Sequence, residues 1–276
     1  MGAYTIVNNN FLAADQASVL ITDLAIQRGY GIFDFFKTIN GNPVFFEDHL
    51  DRFYRSASEM HLTVMQNRDE LKALLFELMN RNNLPNSGIR ITLTGGYSPD
   101  GYELVSPNLI ITQQPLKINT EINQQGIKLI TYPHQRQMPQ VKTVDYLMAI
   151  WLQPLVKERK VDDLLYHDNG LLRECPRSNF FLINKRNEIL TSDIQVLKGI
   201  IRKQLLSLNG QGFTVYEKPI TLTDLETCKE AFITSTTKNI LPVTEIDGQL
   251  IGDGRAGETT IALYQALQKL IVANRN

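Results

Sequence analysis

The chain has 276 residues, a formal net charge of −1 and an ordinary composition, with 43% hydrophobic and 21% charged residues. This length fits one large domain or two modest domains with a buried core. A charge so close to neutral argues against nucleic-acid binding driven by bulk charge. No apolar run approaches the ~20 residues of a membrane span. We therefore expect neither a nucleic-acid partner nor a membrane partner.

The cysteine and histidine content argues against a disulfide-stabilised domain and against a metalloprotein. The two cysteines, Cys175 and Cys228, are too few for a disulfide framework, and the four histidines show no metal-ligand spacing. We therefore expect reduced thiols and no metal site. The segment from Met1 to Asn10 lacks a basic stretch followed by an apolar core, so we expect no signal peptide and a cytoplasmic localisation.

The N-terminal part of the chain is predicted to mix strands with helices. Residues 33–39 are strand-like, Asn40-Gly41 is a hairpin signal, and the return strand is expected to begin at 44–46. Apolar spacing predicts helices at 47–60 and 69–83. A further strand at 89–94 alternates with period two and places three apolar side chains on one face: Ile89, Ile91 and Leu93.

The second half of the chain is also predicted to be mixed. The pattern predicts strands at 127–131, 163–167, 180–183 and 231–234, helices at 146–160, 200–209 and 258–273, and tight turns at Asp168-Asn169-Gly170 and Asp247-Gly248. A polar stretch with Pro115 indicates a boundary. We therefore expect a domain at 1–113, a linker at 114–121 and a domain at 122–276, with a cleft of the kind that binds cofactors.

Two segments of the second half carry groups that suit pyridoxal phosphate (PLP). Residues 141–146 contain Lys142, whose amine can form an imine with the PLP aldehyde. Residues 173–174, followed by 178–181, contain Glu174, and a carboxylate beside the pyridine nitrogen keeps that nitrogen protonated. Each residue alone has a plainer interpretation: Lys142 as a solvated surface lysine, and Glu174 as a strand-end residue or a partner of Arg173.

Two further segments, 197–202 and 232–237, suit a phosphate. Gly199 permits a tight turn before a helix that starts at Ile200, and the unpaired N–H groups of a helix start favour an anion. Leu197 can pack flat against a pyridine ring. The second segment ends in a run of hydroxyls at Ser235, Thr236 and Thr237. An ordinary glycine turn and a hydroxyl-rich loop are the alternatives, but all four segments in this order predict a PLP site.

These segments resemble those of the class IV aminotransferases. These fold-type IV PLP enzymes include D-amino acid transaminases, branched-chain aminotransferases and aminodeoxychorismate lyases. The resemblance runs from about Val7 to Leu267 and is densest over 232–254, where it is closest to the D-amino acid transaminases. It implies an α+β fold class, a two-domain fold-type IV enzyme with a smaller N-terminal α/β domain and a larger C-terminal β-barrel-like α/β domain.

The resemblance also implies roles for individual residues. Lys142 would be the catalytic Schiff-base lysine and proton carrier, and Glu174 the partner of the pyridine nitrogen. Arg52 would bind the phosphate, with a surface ion pair to Asp48 as the alternative. The rest of the implied cofactor-binding set is Leu197, Gly199, Ile200, Ile201, Ser235 and Thr236. A homodimer with amino acid and α-keto acid substrates is implied as well.

Two departures from the family pattern bear on function. Ile201 stands where the family often has threonine, so one phosphate hydroxyl is lost and we expect PLP to dissociate more easily on dilution. Asp100 and Tyr102 occupy the positions at which well-known D-amino acid transaminases carry an arginine and a histidine that bind the substrate carboxylate. An aspartate would repel that carboxylate.

Two other arginines are therefore candidates for the substrate carboxylate, because a guanidinium binds it in a bidentate manner. Arg90 lies on the polar face of its predicted strand, and Arg28 lies in a segment that the resemblance places near a dimer interface. The alternatives are an ion pair for Arg90 and a structural role for Arg28. Phe33, Phe35 and Tyr146 are expected to line the substrate pocket, with core packing as the alternative.

The leading interpretation is a D-amino acid transaminase. It would move an amino group between a D-amino acid, such as D-alanine or D-glutamate, and an α-keto acid in a ping-pong cycle. A branched-chain L-amino acid aminotransferase is the first alternative, because the same cofactor pocket could hold the substrate the other way round. An aminodeoxychorismate lyase is the second, and a non-catalytic PLP-binding protein is the third.

Overall fold

The computed structural model describes residues 3–274, which form two compact units. The first contains 3–118 together with 141–145, and the second contains 119–140 and 146–274. Lys142 was expected in the C-terminal domain, but its segment belongs to the first unit. The reason is backbone pairing: Phe33 N donates to Lys142 O at 2.9 Å, and Val144 N donates to Gly31 O at 3.0 Å.

Within its described part, the first unit contains an antiparallel six-stranded sheet in the order β2-β1-β6-β5-β3-β4. Its strands are β1 (Tyr4–Val7), β2 (Asn10–Ala13), β3 (Gly31–Ile39), β4 (Asn42–Pro43), β5 (Ser87–Thr94) and β6 (Leu109–Pro115). Its helices are α1 (Leu24–Arg28), α2 (Phe46–Glu59) and α3 (Arg68–Asn82).

The predicted hairpin is confirmed, but its return strand is shorter than expected. Asn40 and Gly41 have φ values of 53° and 79°, as a tight hairpin turn requires. The predicted strand at 44–46 is wrong, because β4 ends at Pro43 and α2 starts at Phe46. Phe45 takes a left-handed conformation with φ 52°, which ends the extended run.

Alternation along β5 builds one face of the core, as predicted. Ile89, Ile91 and Leu93 are buried, whereas Arg90 is exposed. The buried side chains pack with apolar residues of α2 and α3, among them Leu50, Phe53, Leu71, Leu75 and Leu78. Since each buried leucine contributes about 1.5–3 kcal/mol, this packing holds β3 and β5 firmly against the helices.

In the described part of the second unit, ten strands form a mixed sheet with the path β13-β12-β11-β14-β15-β7-β8-β9; β10 pairs with β11, and β16 with β15. The strands are β7 (Ile127–Pro133), β8 (Asp163–Asp168), β9 (Leu171–Leu172), β10 (Glu174–Cys175), β11 (Ser178–Ile183), β12 (Ile189–Thr191), β13 (Val215–Glu217), β14 (Glu230–Ser235), β15 (Asn239–Ile246) and β16 (Gln249–Leu250). The helices are α4 (Leu147–Trp151), α5 (Gln153–Arg159), α6 (Ile200–Leu206), α7 (Leu222–Leu225) and α8 (Glu258–Ala273).

Most predicted elements of this unit are present. Helix α8 has the predicted bounds, and Asp168-Asn169-Gly170 and Asp247-Gly248 form the turns before β9 and β16. The single helix predicted at 146–160 is wrong, because it is divided at Leu152 into α4 and α5. Pro154 has no N–H for the carbonyl of Ile150, so the first helix cannot continue through it. None of the helices described within 3–274 is both long and apolar enough to span a membrane.

Candidate active site

Lys142 lies beside two other predicted site residues in the first unit. Its Nζ atom is 4.5 Å from the centroid of the Phe33 ring, and the guanidinium carbon of Arg90 is 3.7 Å from the same centroid. Arg90 is opposite Phe35 in the β3–β5 register, so Arg90, Phe33 and Phe35 share one face of the sheet. Lys142 and Arg90 thus each make a cation–π contact with the same buried ring.

Of the remaining predicted substrate residues, Phe35 lies on the same face of β3 as Phe33, whereas Arg28 and Tyr146 lie at other elements. Phe35 is half-buried, and its ring covers Gly88, where a Cβ atom would collide with it. Arg28 is exposed at the end of α1, and its Nη1 donates to the carbonyl of Gln27 at 2.9 Å. Tyr146 belongs to the second unit, where it is half-buried at the start of α4.

A buried charged cluster occupies the opposite face of β3. Arg52 donates from Nε to Asp34 Oδ2 at 2.7 Å and from Nη2 to Asp34 Oδ1 at 2.9 Å. His49 Nδ1 lies 2.7 Å from the same Oδ1 and is the donor, because an ionised carboxylate only accepts. All three side chains are almost completely buried.

The protonation states of this cluster follow from its contacts. Burial would raise the pKa of Asp34, but the charge of Arg52 and the hydrogen bond from His49 hold that pKa well below its usual range. Burial lowers the pKa of His49 more than Asp34 raises it, with the nearby charges of Arg52 and Lys142 acting in the same direction as burial. The cluster is therefore an ionised Asp34–Arg52 pair with a neutral histidine.

The alternative for Arg52, a surface ion pair with Asp48, is wrong, because Arg52 is buried. Its Nε and Nη2 atoms are engaged by Asp34, while Nη1 takes part in no hydrogen bond within residues 3–274. Asp34 therefore fixes the orientation of the guanidinium and leaves one N–H₂ group for an anion. That is compatible with the expected phosphate contact, which stays a prediction.

In the second unit, both carboxylate oxygens of Glu174 accept hydrogen bonds. Arg136 approaches its Oε1 atom with both Nε and Nη2 at 3.0 Å. Asn179 Nδ2 and the backbone N–H of Leu197 donate to Oε2 at 3.2 and 3.1 Å. Glu174 is 5% exposed, so these contacts hold a buried carboxylate in one orientation. Arg173 instead binds Asp168 and Gln135, which disagrees with the alternative that it pairs with Glu174.

Asn179 connects Glu174 to the glycine turn. Besides binding Glu174, its Nδ2 atom donates to Leu197 O at 2.7 Å. A Cβ atom on Gly199 would collide with Asn179 Oδ1, so the amide has this position only because residue 199 is a glycine. The predicted residues Glu174, Leu197 and Gly199 therefore form one connected group.

The predicted phosphate groups of this unit lie at two element ends. Ile200 and Ile201 begin α6 and their side chains are buried, so what they offer an anion is the backbone N–H groups of a first helical turn. Ser235 and Thr236 are half-buried at the end of β14, where Ser235 Oγ accepts from Lys238 N at 3.2 Å.

The carboxylate of Asp100 accepts hydrogen bonds from other residues of its own loop. Asp100 Oδ1 accepts from Tyr102 N at 2.9 Å, Glu103 N at 2.8 Å and Ser98 Oγ at 3.1 Å. Those bonds, led by the Glu103 N–H, hold the pKa of Asp100 below its usual value. Asp100 therefore shapes this loop, in which Tyr102 is exposed.

Sequence reasoning missed four contributors: Asp34, His49, Arg136 and Asn179. Asp34 had a detectable signal, because it is an acidic residue inside an otherwise apolar strand. Arg136 had none, since it lies in an irregular polar segment with no periodicity. Within residues 3–274 there is no group of His, Cys, Asp and Glu side chains arranged to hold a metal ion.

Comparisons with known proteins agree on the family. The family model described as amino-transferase class IV matches residues 31–246. A D-alanine aminotransferase of Listeria monocytogenes serotype 4b is 30% identical over 278 residues, covering 97% of this chain and 96% of the relative. A putative branched-chain-amino-acid aminotransferase of Methanocaldococcus jannaschii is 29% identical, covering 96% and 95%. The solved branched-chain amino acid aminotransferase of Escherichia coli superposes with a TM-score of 0.90 at 23% identity, covering 100% and 97%.

Proposed function

The chain belongs to the class IV aminotransferase family and is a PLP-dependent aminotransferase, and we propose that it acts on D-amino acids such as D-alanine and D-glutamate. The observation that carries the proposal is the near full-length similarity to D-alanine aminotransferases, at 29–30% identity. A second observation is consistent with an aminotransferase: Lys142, a lysine able to move a proton, and Arg90, a cation able to hold a carboxylate, both contact the ring of Phe33.

Each unit contains residues whose chemistry suits PLP. Glu174 is a buried carboxylate that accepts hydrogen bonds from Arg136, Asn179 and the Leu197 N–H, which stabilise its charge and so suit a protonated ring nitrogen. The first-turn N–H groups of Ile200 and Ile201, the hydroxyls of Ser235 and Thr236, and Arg52 suit a phosphate. When bound, PLP supplies an electron sink for the Cα–H bond of the amino acid.

In the proposed amino transfer, the residues of this chain would have the following roles. Lys142 takes the Cα proton and returns it, as a general acid–base. Glu174 keeps the proton on the ring nitrogen. Arg90 orients the substrate by its carboxylate, since a guanidinium forms two parallel hydrogen bonds with it. Phe33 and Phe35 form an apolar wall that excludes water from the side chain of the substrate.

A branched-chain L-amino acid aminotransferase is the second candidate. The similarity to the Methanocaldococcus jannaschii protein favours it, as does the aromatic wall of Phe33 and Phe35, which suits an apolar side chain. The two candidates differ in the direction from which the carboxylate is held. They do not differ in cofactor.

A half-reaction on the purified protein separates these candidates. The holoenzyme is mixed separately with D-alanine, D-glutamate, L-leucine and L-glutamate, and the PLP band near ~400–420 nm is followed as it converts to the pyridoxamine form. We expect conversion with the D-substrates alone. Conversion with L-leucine alone would instead assign the chain to the branched-chain group.

We also propose a homodimer in the cytoplasm. Helix α4 exposes three large apolar side chains, Leu147, Ile150 and Trp151, and the segment around α1 exposes Ile21 and Ile26. Several exposed apolar side chains on one short helix, as on α4, suit a protein interface. Both cysteines are free, which suits a reducing compartment. Sedimentation equilibrium of the wild type and of Trp151→Glu tests the dimer, and a wild-type monomer would contradict it.

A further inference from the structure

We propose that Arg136 is a positioning residue for Glu174: it keeps the carboxylate ionised and correctly oriented, so that the proton stays on the ring nitrogen of the cofactor. This inference rests on the proposed use of PLP and Glu174. It extends that proposal, because it assigns a task to a residue of the irregular segment between β7 and α4.

The contacts of Glu174 support this role. Arg136 places two N–H groups on Oε1, both at 3.0 Å, and a third contact runs from its Nη2 to Pro139 O at 2.7 Å. Asn179 and the Leu197 N–H hold Oε2. Donors on both oxygens favour the charged carboxylate over the protonated one, and Arg136 is the donor that also brings a positive charge.

The burial of Glu174 makes a positive charge beside it favourable for the ionised form. The Glu174 side chain is 6% exposed, and burial without a counter-charge favours the neutral carboxyl group. The titratable neighbours Tyr166 and Cys175 carry no charge at neutral pH, because burial first and then the charge of Asp163 raise both of their pKa values. Loss of Arg136 would remove a positive charge 3.0 Å from Oε1 and so favour the neutral carboxyl group, which would compete with the ring nitrogen for the proton.

Arg136 also donates a hydrogen bond to the backbone of a residue close to Lys142 in the chain. Pro139, whose carbonyl accepts from Arg136, precedes Lys142 by three residues in the chain. A test must therefore separate the charge of Arg136 from its hydrogen bond to Pro139. Arg136→Lys keeps the charge, Arg136→Gln keeps a donor without charge, and Arg136→Met removes both.

The first readout needs no cofactor. In apoprotein labelled with ¹³C at glutamate carboxyl groups, the Glu174 signal is identified by its loss in Glu174→Gln, and its titration is followed by NMR. We expect the titration midpoint to rise by about 1–3 pH units in Arg136→Met and Arg136→Gln, and much less in Arg136→Lys. Arg173→Met is the control, because Arg173 precedes Glu174 in the chain and is buried, but binds Asp168 and Gln135 instead of Glu174. Unchanged midpoints in both neutral variants would overturn the proposal.

The second readout uses PLP labelled with ¹⁵N at the ring nitrogen. We expect a protonated ring in the wild type, a shift towards the unprotonated ring in Arg136→Gln, and recovery in Arg136→Lys. The kcat of the half-reaction should fall about 10- to 100-fold with little change in KM. A wild type that binds no PLP would refute the proposed function itself. A wild type that binds PLP, with the same ¹⁵N shift in Arg136→Gln, would refute only the role of Arg136.

Discussion

Removing the charge of Asp34 should destabilise the first unit strongly. Asp34→Asn keeps the shape of the side chain but leaves Arg52 buried, at 3% exposure, without its counter-charge. Removing one partner of a buried ion pair costs about 3–5 kcal/mol. Arg68→Met is the matched control, because Arg68 pairs with Glu47 and Asp51 on the surface, where such pairs contribute only about 0–1 kcal/mol.

Amide hydrogen exchange of β3 and β5 is the suitable assay. It reports on the unit that is changed, whereas the single tryptophan, Trp151, lies in the other unit. We expect the free energy of opening, measured by amide exchange in β3 at pH 7, to be about 3–5 kcal/mol lower in Asp34→Asn than in the wild type. A loss below about 1 kcal/mol, equal to that of Arg68→Met, would refute the argument that the pair is energetically isolated from water.

The pH dependence of this effect has a defined sign. The folded-state pKa of Asp34 is depressed, so its stabilisation is fully present above the unfolded value of about 3.9 and is lost as pH falls towards the folded value. His49 also has a depressed pKa, so its contribution declines from about pH 6.5 downwards. The difference between the wild type and Asp34→Asn should therefore shrink below about pH 4.

Three further changes test other parts of the account. Arg90→Ala should raise KM for an α-keto acid about 10- to 100-fold, since a charge-assisted contact is lost, and wild-type affinity would contradict the role of Arg90. Gly199→Ala should displace Asn179 and weaken PLP binding about 10-fold or more by equilibrium ultrafiltration, and an unchanged Kd would count against the connected group. Burial raises the pKa of Cys228 to about 11, so at pH 8.5 it should react with iodoacetamide about two orders of magnitude more slowly than a free thiol; a rate near the free value would disagree.

Local signals explain what the sequence could predict. The alternation of Ile89, Ile91 and Leu93 is a property of one strand, and the Asn40-Gly41 turn is a property of two residues, so both were accessible. The same holds for α8, whose apolar spacing gave its bounds. The break at Leu152 was also local, but a helical pattern masked the effect of Pro154.

Pairings between distant segments explain what the sequence could not predict. Residues 141–145 join β3 through backbone bonds, and such bonds leave no mark on side-chain patterns. Arg52 binds Asp34 across 18 residues, and Arg136 binds Glu174 across 38. Each pair depends on how elements are brought together by packing, so a single sequence indicates that charged residues need partners without indicating which ones.

The stereochemistry of transfer is the most direct test of the central claim. Racemic glutamate and pyruvate are incubated with the purified holoenzyme, and the alanine that forms is resolved by chiral chromatography, with Lys142→Ala as the inactive control. The account predicts D-alanine, formed at the expense of D-glutamate. L-alanine as the product would contradict the proposed D-specificity, and equal amounts of alanine with Lys142→Ala would contradict the role given to that lysine.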